Sequence, residues 1–267
     1  MNQGAMIGQG RTAEVYGYGE GKILKLYRPG FPLAAIREEY EASKLVCTLD
    51  LDAPQTYEMI ESEHRMGIVY EYAEGQTLLN RISTKPWTVA AGARLMAELH
   101  FRMHRQQAGL KRNQHDALRQ SIQSTDLLDE REKRTITVFL DSLPRADSLC
   151  HGDFHPDNIL VGDRNWVIDW MNAVSGNPAA DVARTVLLLS HGSMPEGIPA
   201  IQRGIVQFIR SRLRNTYIKR YFQLSKLSYP EVERWMLPVA AARLMEGVPE
   251  AEKLALVKMI RAGLDKM

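Results

Sequence analysis

The sequence predicts an α+β chain in two lobes, a small β-rich lobe followed by a larger helical one. Three observations predict it. Residues 5–27 are rich in glycine and β-formers. Beyond residue 75 the apolar residues recur mainly at helical spacing. The stretch HGDFHPDNILVGDRNWVIDW, residues 151–170, interrupts that helical part with loops and two short apolar runs. The expected division is 1–72 for the first lobe and 73–267 for the second.

Each element has its own signal. GYGEG at 17–21 reads as a turn and KILKLY after it as a strand, so residues 5–27 form a hairpin with a second glycine turn, Gly8-Gln9-Gly10, near its start. AAIREEYEASKLVCTL follows with helical spacing through Ile36, Tyr40 and Leu45. RMGIVYEYA is a buried strand ending at Glu74-Gly75. Thr88 stands as N-cap of a helix over VAAGARLMAELHFRMHR. Residues 116–143 hold one or two further helices. NILVG, the turn DRN and WVIDW then form a hairpin, and helices are expected at about 179–190, 199–222, 229–245 and 249–265.

Composition narrows the classes. With 267 residues, 45% hydrophobic and 25% charged, the chain can bury a sizeable core. A net charge of +2 is too small to suggest a nucleic-acid or membrane partner. Cys47 and Cys150 form no CxxC pair, MNQGAMIGQG carries no leader pattern, and no apolar run approaches a membrane span, so a reduced cytoplasmic setting is expected.

The 151–170 stretch carries the chemistry. Phosphoryl transfer needs a carboxylate to orient the attacking hydroxyl, oxygen ligands for Mg²⁺, a lysine for the nucleotide phosphates and a glycine turn that lets backbone N–H groups approach them. The chain offers each part in order. Gly8 and Gly10 form the turn, Lys25 lies mid-strand, and Glu38, Glu39 and Glu41 follow on a helix. Asp153 sits in HGD, Asn158 lies five positions on, and Asp169 ends the next short strand. A hairpin from NILVG to WVIDW returns Asp169 beside Asn158, which suits two oxygen ligands on Mg²⁺. Asp153, at the head of the loop, remains as candidate base.

These residues resemble the aminoglycoside phosphotransferase and choline kinase-like family, which has the protein-kinase fold. The resemblance rests on HGDFHPDNIL followed by VIDW, with Lys25 and a helix glutamate ahead of them, and extends to about Arg184. It implies a bilobal protein-kinase-like fold and a Mg²⁺-dependent transfer from ATP or GTP to a hydroxyl of a small-molecule acceptor. It implies Asp153 as base and Asn158 and Asp169 as Mg²⁺ ligands. Lys25 would contact the α- and β-phosphates, with Glu39 as its partner and Glu38 as the alternative. EYAEG resembles the hinge, where the backbones of Glu71 and Ala73 would meet adenine, and Tyr70 just before it is placed to shape the purine pocket. Asp181, in NPAADVAR, is implied as a structural support.

The chain departs from the kinase pattern in places. Ala13 stands where a third glycine would complete GxGxxG, and DW replaces DFG. Only eleven residues separate Asp169 from Asp181, with no APE-like segment, so a small acceptor is expected rather than a protein.

The same residues admit other chemistry. Asp and Asn favour turns and caps, but the joint spacing of Asp153, Asn158 and Asp169 argues against turn chemistry alone. His151 and Asp153 supply two thirds of a facial metal triad, with His191 as a third ligand, but that site needs a β-rich scaffold. His151 and His155 are expected instead to hydrogen-bond the loop backbone. His100 and His104 lie one helical turn apart without the glutamate of HExxH, which favours packing or surface placement. A nucleotide-binding pseudokinase would lack the base, lysine or a metal ligand, and none is missing. Glu231, Glu233, Glu246, Glu250 and Glu252 remain candidates for an acidic acceptor wall, while 199–226 carries seven basic residues and no acid.

Overall fold

A computed structural model describes residues 3–107, 109–191 and 200–267. In chain order the elements are β1 (Gln3–Gln9), β2 (Ala13–Tyr18), β3 (Lys22–Tyr27), α1 (Leu33–Val46), β4 (Thr56–Ser62), β5 (Arg65–Glu71) and β6 (Gln76–Thr77). There follow α2 (Leu78–Thr84), α3 (Val89–His104), α4 (Gln114–Ser124), α5 (Glu130–Asp141), β7 (Ser148–Cys150), β8 (Ile159–Val161), β9 (Asn165–Val167) and β10 (Val174–Gly176). Four helices close the chain: α6 (Pro178–His191), α7 (Ala200–Ser225), α8 (Tyr229–Arg243) and α9 (Glu250–Leu264).

Two compact units result. The first holds the residues up to Asn80 together with Pro156–Ala173, and the second holds Arg81–His155 and Val174–Met267. Residues 73–80 and the hairpin strands thus group with the sheet-bearing unit. Pairing is the reason. Gln76 and Thr77 of β6 pair with Val161 and Leu160 of β8, and Val167 N–H donates to Asp52 O at 2.8 Å.

In the first unit five antiparallel strands run in the order β1-β2-β3-β5-β4. The β2–β3 turn needs left-handed backbone at Gly19 (φ 66°) and Gly21 (φ 65°), which glycine adopts without a Cβ penalty. Side chains of β3 alternate. Leu24 and Leu26 pack with Val69 on one face, while Tyr27 packs with Ala13, Ile68 and Ile36 of α1 on the other. Lys25 shares the Tyr27 side and is paired across the strands with Val15 and Ile68. In α1 the buried stripe is Ile36, Glu39, Ala42, Ser43 and Val46, so Glu39 lies inside while Glu38 and Glu41 face solvent. Ala13, at the third position of the glycine pattern, puts its methyl into that core.

β4 has no clear strand signal in the sequence. Its sequence, TYEMIES, exposes Tyr57, Glu58 and Glu61, as an edge strand can, so the apolar signal is thin.

The second unit is helical apart from the β7–β10 pair. α3 packs on α7, and α6 on α8. Residues 116–143 form two helices, the second started by a capping box of Asp129 and Glu132. Thr88 does precede α3, but its hydroxyl donates to Lys85 O at 2.7 Å and does not cap it. Among the described residues no helix is long and apolar enough to cross a membrane.

Candidate active site

Lys25 is the centre of the first unit's polar chemistry. Its ammonium donates to Glu39 Oε1 at 2.6 Å and to Asp169 Oδ1 at 2.8 Å. Burial alone would push this ammonium down; the charges of Asp169 and Glu39 reverse that and hold it above the ordinary lysine range. Glu39 is only 1% exposed and is held from two more sides. Tyr27 OH donates to Oε2 at 2.5 Å and Tyr70 OH to Oε1 at 3.1 Å. Burial, then the Glu39 charge, raises both phenols well above their usual range, so they stay protonated donors. The register of α1 thus brings Glu39, not Glu38, to Lys25. Tyr70 turns its hydroxyl to Glu39 and Ser43.

The hairpin supplies the other oxygen donors of this unit. Ile159 pairs with Val167, and Ile168 N–H donates to Asn158 O at 3.0 Å, so Asn158 lies opposite the residue just before Asp169. Asn158 is buried, whereas the Asp169 side chain is 41% exposed. Asp169 has left-handed backbone, φ 66° and ψ 66°. Outside glycine that conformation is uncommon, and Asp and Asn are among the residues that tolerate it. One carboxylate and one side-chain amide form the hard-oxygen set that Mg²⁺ takes along with water and phosphate oxygens.

Gly8 pairs with Val15 in the β1–β2 ladder, and Gly10 N–H donates to Ala13 O at 2.8 Å. Neither glycine has a positive φ. A methyl on Gly8 would meet only Val15 Cβ at 4.0 Å, and one on Gly10 only Ala13 O at 3.7 Å. The fold itself therefore does not demand glycine at either place. Arg28 braces the turn by donating to Gly10 O at 3.0 Å and Arg11 O at 3.1 Å. Glu71 is fixed at the end of β5, where its N–H donates to Gln55 O at 2.8 Å and its carboxylate accepts from Gln55 N–H at 3.0 Å. Tyr72 N–H donates to Gly21 O at 2.9 Å, and Ala73 follows outside the strand.

Asp153 belongs to the second unit. Its Oδ1 accepts from Arg184 Nη2 at 3.1 Å, and His155 Nε2 lies 3.5 Å from Oδ2. Burial would raise this carboxyl, but His155 and the Arg184 charge hold it well below the usual range, so it is ionised. His151 is buried and its Nδ1 accepts from Asp153 N–H at 3.2 Å, a loop-bracing role as expected. His155 instead faces the carboxylate. The side chain of His191 lies outside the described residues.

Beneath this loop is a buried polar cluster. Asp181 Oδ2 accepts from His151 N–H at 2.6 Å and Oδ1 from Gly152 N–H at 2.9 Å. His100 Nε2 and His104 Nε2 lie 3.0 and 3.2 Å from Asp181 Oδ2, while their Nδ1 atoms lie 2.7 and 2.6 Å from the hydroxyls of Tyr217 and Tyr221. The three ligand-type atoms of His100, His104 and Asp181 lie within 4.8 Å of one another. Every ring nitrogen here already has a protein partner, which favours a satisfied structural network over a metal. Burial drops His100 to about 3, so it stays neutral.

The acidic residues of the C-terminal helices are largely engaged. Glu246 accepts from Arg184 and, at 2.7 Å, from Arg243. Glu252 accepts from Arg243 at 2.8 Å, and Glu231 closes a capping box with Ser228. Glu233 and Glu250 are exposed. Arg184 and Tyr27 carry no functional signal in the sequence, and Tyr70, expected to shape the purine pocket, places its hydroxyl on Glu39 and Ser43. Only the i, i+3 spacing of Asp181 and Arg184 hinted that one helical face serves the loop.

The family profile described as Phosphotransferase enzyme family, APH, matches residues 6–222. The chain belongs to this family and is a phosphotransferase acting on the hydroxyl of a small molecule. Comparison with curated proteins finds no match. Solved structures share its fold. An aminoglycoside-3'-phosphotransferase of type VIII is 18% identical, with a TM-score of 0.62 over 90% of this chain and 93% of that one. The streptomycin–ATP–APH(2'')-IIa ternary complex is 16% identical, with a TM-score of 0.59 over 98% of this chain and 91% of that one. The macrolide 2'-phosphotransferase MphH from Brachybacterium faecium is 18% identical, with a TM-score of 0.53 over 97% and 91%.

Proposed function

We propose that the enzyme transfers the γ-phosphate of ATP to a hydroxyl of a small molecule, with Asn158 and Asp169 holding Mg²⁺. The observation that carries this reading is Lys25, held at 2.6 Å by Glu39 and at 2.8 Å by Asp169. A lysine set in this way keeps its full charge and a fixed position, as a phosphate ligand requires. Bound Mg²⁺ would supply charge neutralisation for the phosphate oxygens. Lys25 would hold the α- and β-phosphates, with Glu39 bracing it. Gly8 and Gly10 would let the β1–β2 turn approach the phosphates, and the backbones of Glu71 and Ala73 would bind adenine. Asp153, ionised and pinned by Arg184, would orient the acceptor hydroxyl and take its proton. ATP as donor is also supported by the fold shared with APH(2'')-IIa, whose complex contains ATP.

The acceptor is a neutral or singly charged hydroxyl compound in this reading. Glu246 and Glu252 are paired with Arg184 and Arg243, which removes two carboxylates from the acidic wall that a polycation would need and leaves the exposed Glu231, Glu233 and Glu250.

Thermal-shift titrations with ATP and with GTP, each with and without Mg²⁺, test the donor half. A Mg²⁺-dependent rise in melting temperature that Asp169→Asn abolishes is expected, and equal shifts in both proteins would refute the metal assignment. Asn keeps the left-handed backbone, so the variant isolates the charge. Asp153→Asn should lower kcat by about 10²–10⁴ with nucleotide affinity retained. Full turnover in that variant would remove Asp153 as base. A panel spanning neutral polyols, amino alcohols and aminoglycosides then tests the acceptor, and preferential phosphorylation of a polycation would overturn the charge argument.

A further inference from the structure

We infer that Arg184 is a positioning residue for the Asp153 carboxylate, and that Glu246, just past α8, holds Arg184 to that task. The inference rests on the proposed role of Asp153 as base.

Helix α6 presents Asp181, Arg184 and Thr185 at i, i+3 and i+4, which places them on one face. That face grips four consecutive residues. Asp181 takes the N–H groups of His151 and Gly152, at 2.6 and 2.9 Å. Thr185 donates its hydroxyl to Phe154 O at 3.0 Å. Arg184 donates to the Asp153 side chain at 3.1 Å. The backbone contacts fix where the Asp153 Cα sits, but they do not fix rotation of its carboxylate, a broad torsion. The Arg184 contact does. With Oδ1 bound, Oδ2 is turned to the His155 side, at 3.5 Å.

The charges around Arg184 suit this task. Its side chain is 13% exposed, and a guanidinium so buried is costly unless paired. Glu246 takes Nη1 of Arg184 and, through its other oxygen, Nη1 of Arg243 at 2.7 Å. Arg243 in turn places Nε and Nη2 on Glu252 Oε1, at 2.8 and 2.6 Å. Three carboxylates and two guanidiniums alternate along this row, for a net charge of −1. Glu246 thereby tempers the field that Arg184 exerts on Asp153, so that a base can be oriented without losing all its proton affinity. Arg184 Nε is buried and has no hydrogen-bond partner among the described residues. The guanidinium thus forgoes one donor while Nη1 and Nη2 hold the two carboxylates.

The test uses the full chain, ¹³C-labelled at aspartate carboxyls. The resonance missing in D153N belongs to Asp153. Arg184 faces that carboxylate from α6, and His155 and His151 face it from its own loop. In R184Q its titration midpoint should rise by about 1 pH unit or more. In R184K it should return most of the way. In E246Q it should move lower or broaden as Arg184 loses its counter-charge. Turnover of Mg·ATP with water as acceptor should fall about 10–100-fold in kcat for R184Q, with nucleotide KM within about twofold, and R184K should restore part of it. E246Q keeps the test open should R184Q fail to fold. An Asp153 midpoint unchanged in R184Q and R184K alike, or in E246Q where R184Q does not fold, overturns the inference. A wild type inert towards Mg·ATP, with the midpoints shifting as expected, counts against the phosphotransfer reading and not against the Arg184 contact.

Discussion

Replacing Glu39 by alanine removes the carboxylate on which one ammonium and two phenols converge. The structure sets the magnitude. Tyr27 OH, buried, loses the partner it holds at 2.5 Å, a cost of about 1–3 kcal/mol for an unsatisfied hydroxyl. Tyr70 keeps Ser43 at 3.4 Å, so its loss is smaller. Lys25 keeps Asp169 at 2.8 Å, and its cost stays below the roughly 3–5 kcal/mol of breaking a buried ion pair outright. Together these give a destabilisation of roughly 3–5 kcal/mol, confined to the strands and helix that share the cluster. A global unfolding curve would blur this, because the chain has two units. Native-state hydrogen exchange of the amides of β3 and α1 reads it directly. Tyr27→Phe, which removes one hydroxyl bond, should cost about 1 kcal/mol in the same amides. Protection in Glu39→Ala within about 1 kcal/mol of wild type would show that the cluster does not hold α1, and would refute the reasoning.

Two other perturbations follow from single sites. Gly8→Ala should leave the melting temperature unchanged, since the new methyl meets only Val15 Cβ at 4.0 Å. It should weaken Mg·ATP binding roughly tenfold, about one backbone hydrogen bond, and unchanged calorimetric affinity would remove Gly8 from the phosphate site. Acid should weaken the second unit through His100. Burial drops its folded-state value to about 3 from the ordinary 6.5, so below 6.5 the unfolded chain binds a proton that the folded one refuses. Stability from this group is present above pH 6.5 and is lost as pH falls towards 3, by at most about 1.4 kcal/mol per pH unit. A melting temperature that stays flat from pH 7 to 4.5 would contradict this.

Much of the candidate site is legible in the sequence because loops write chemistry into spacing. Asn158 and Asp169 are set by a short hairpin whose two apolar runs, NILVG and WVIDW, mark it in the sequence, and Asp153 is marked by its place in HGD. Glu39 is reachable through the resemblance of REEYEASKLV to the family's helix, whereas the helical spacing by itself leaves Glu38 open. Residues that act across long sequence separations were not reachable. Tyr27 looks like an ordinary strand aromatic until α1 is laid over it, and the bond from Tyr70 to Glu39 is equally invisible in a residue whose position suggests the purine pocket. Arg184 reads as a solvated helix residue until Asp153, thirty-one positions earlier, is placed against it. His100 and His104 gave a metal-like spacing, and only the arrival of Tyr217, Tyr221 and Asp181 shows that their nitrogens are satisfied. The edge strand β4 exposes Tyr57, Glu58 and Glu61 and so shows no clear apolar alternation, and the three-residue β7 and β10 carry too few residues for periodicity to register.

The double grip on Lys25 has a consequence for labelling chemistry. Acylating and aldehyde reagents attack the neutral amine, and an ammonium clamped by two carboxylates and raised above its ordinary range seldom offers one. Lysine-directed covalent probes of this protein should therefore mark exposed lysines such as Lys44 and Lys226 well before Lys25. Exchange of Asp169 for asparagine should make Lys25 the more reactive of the buried groups.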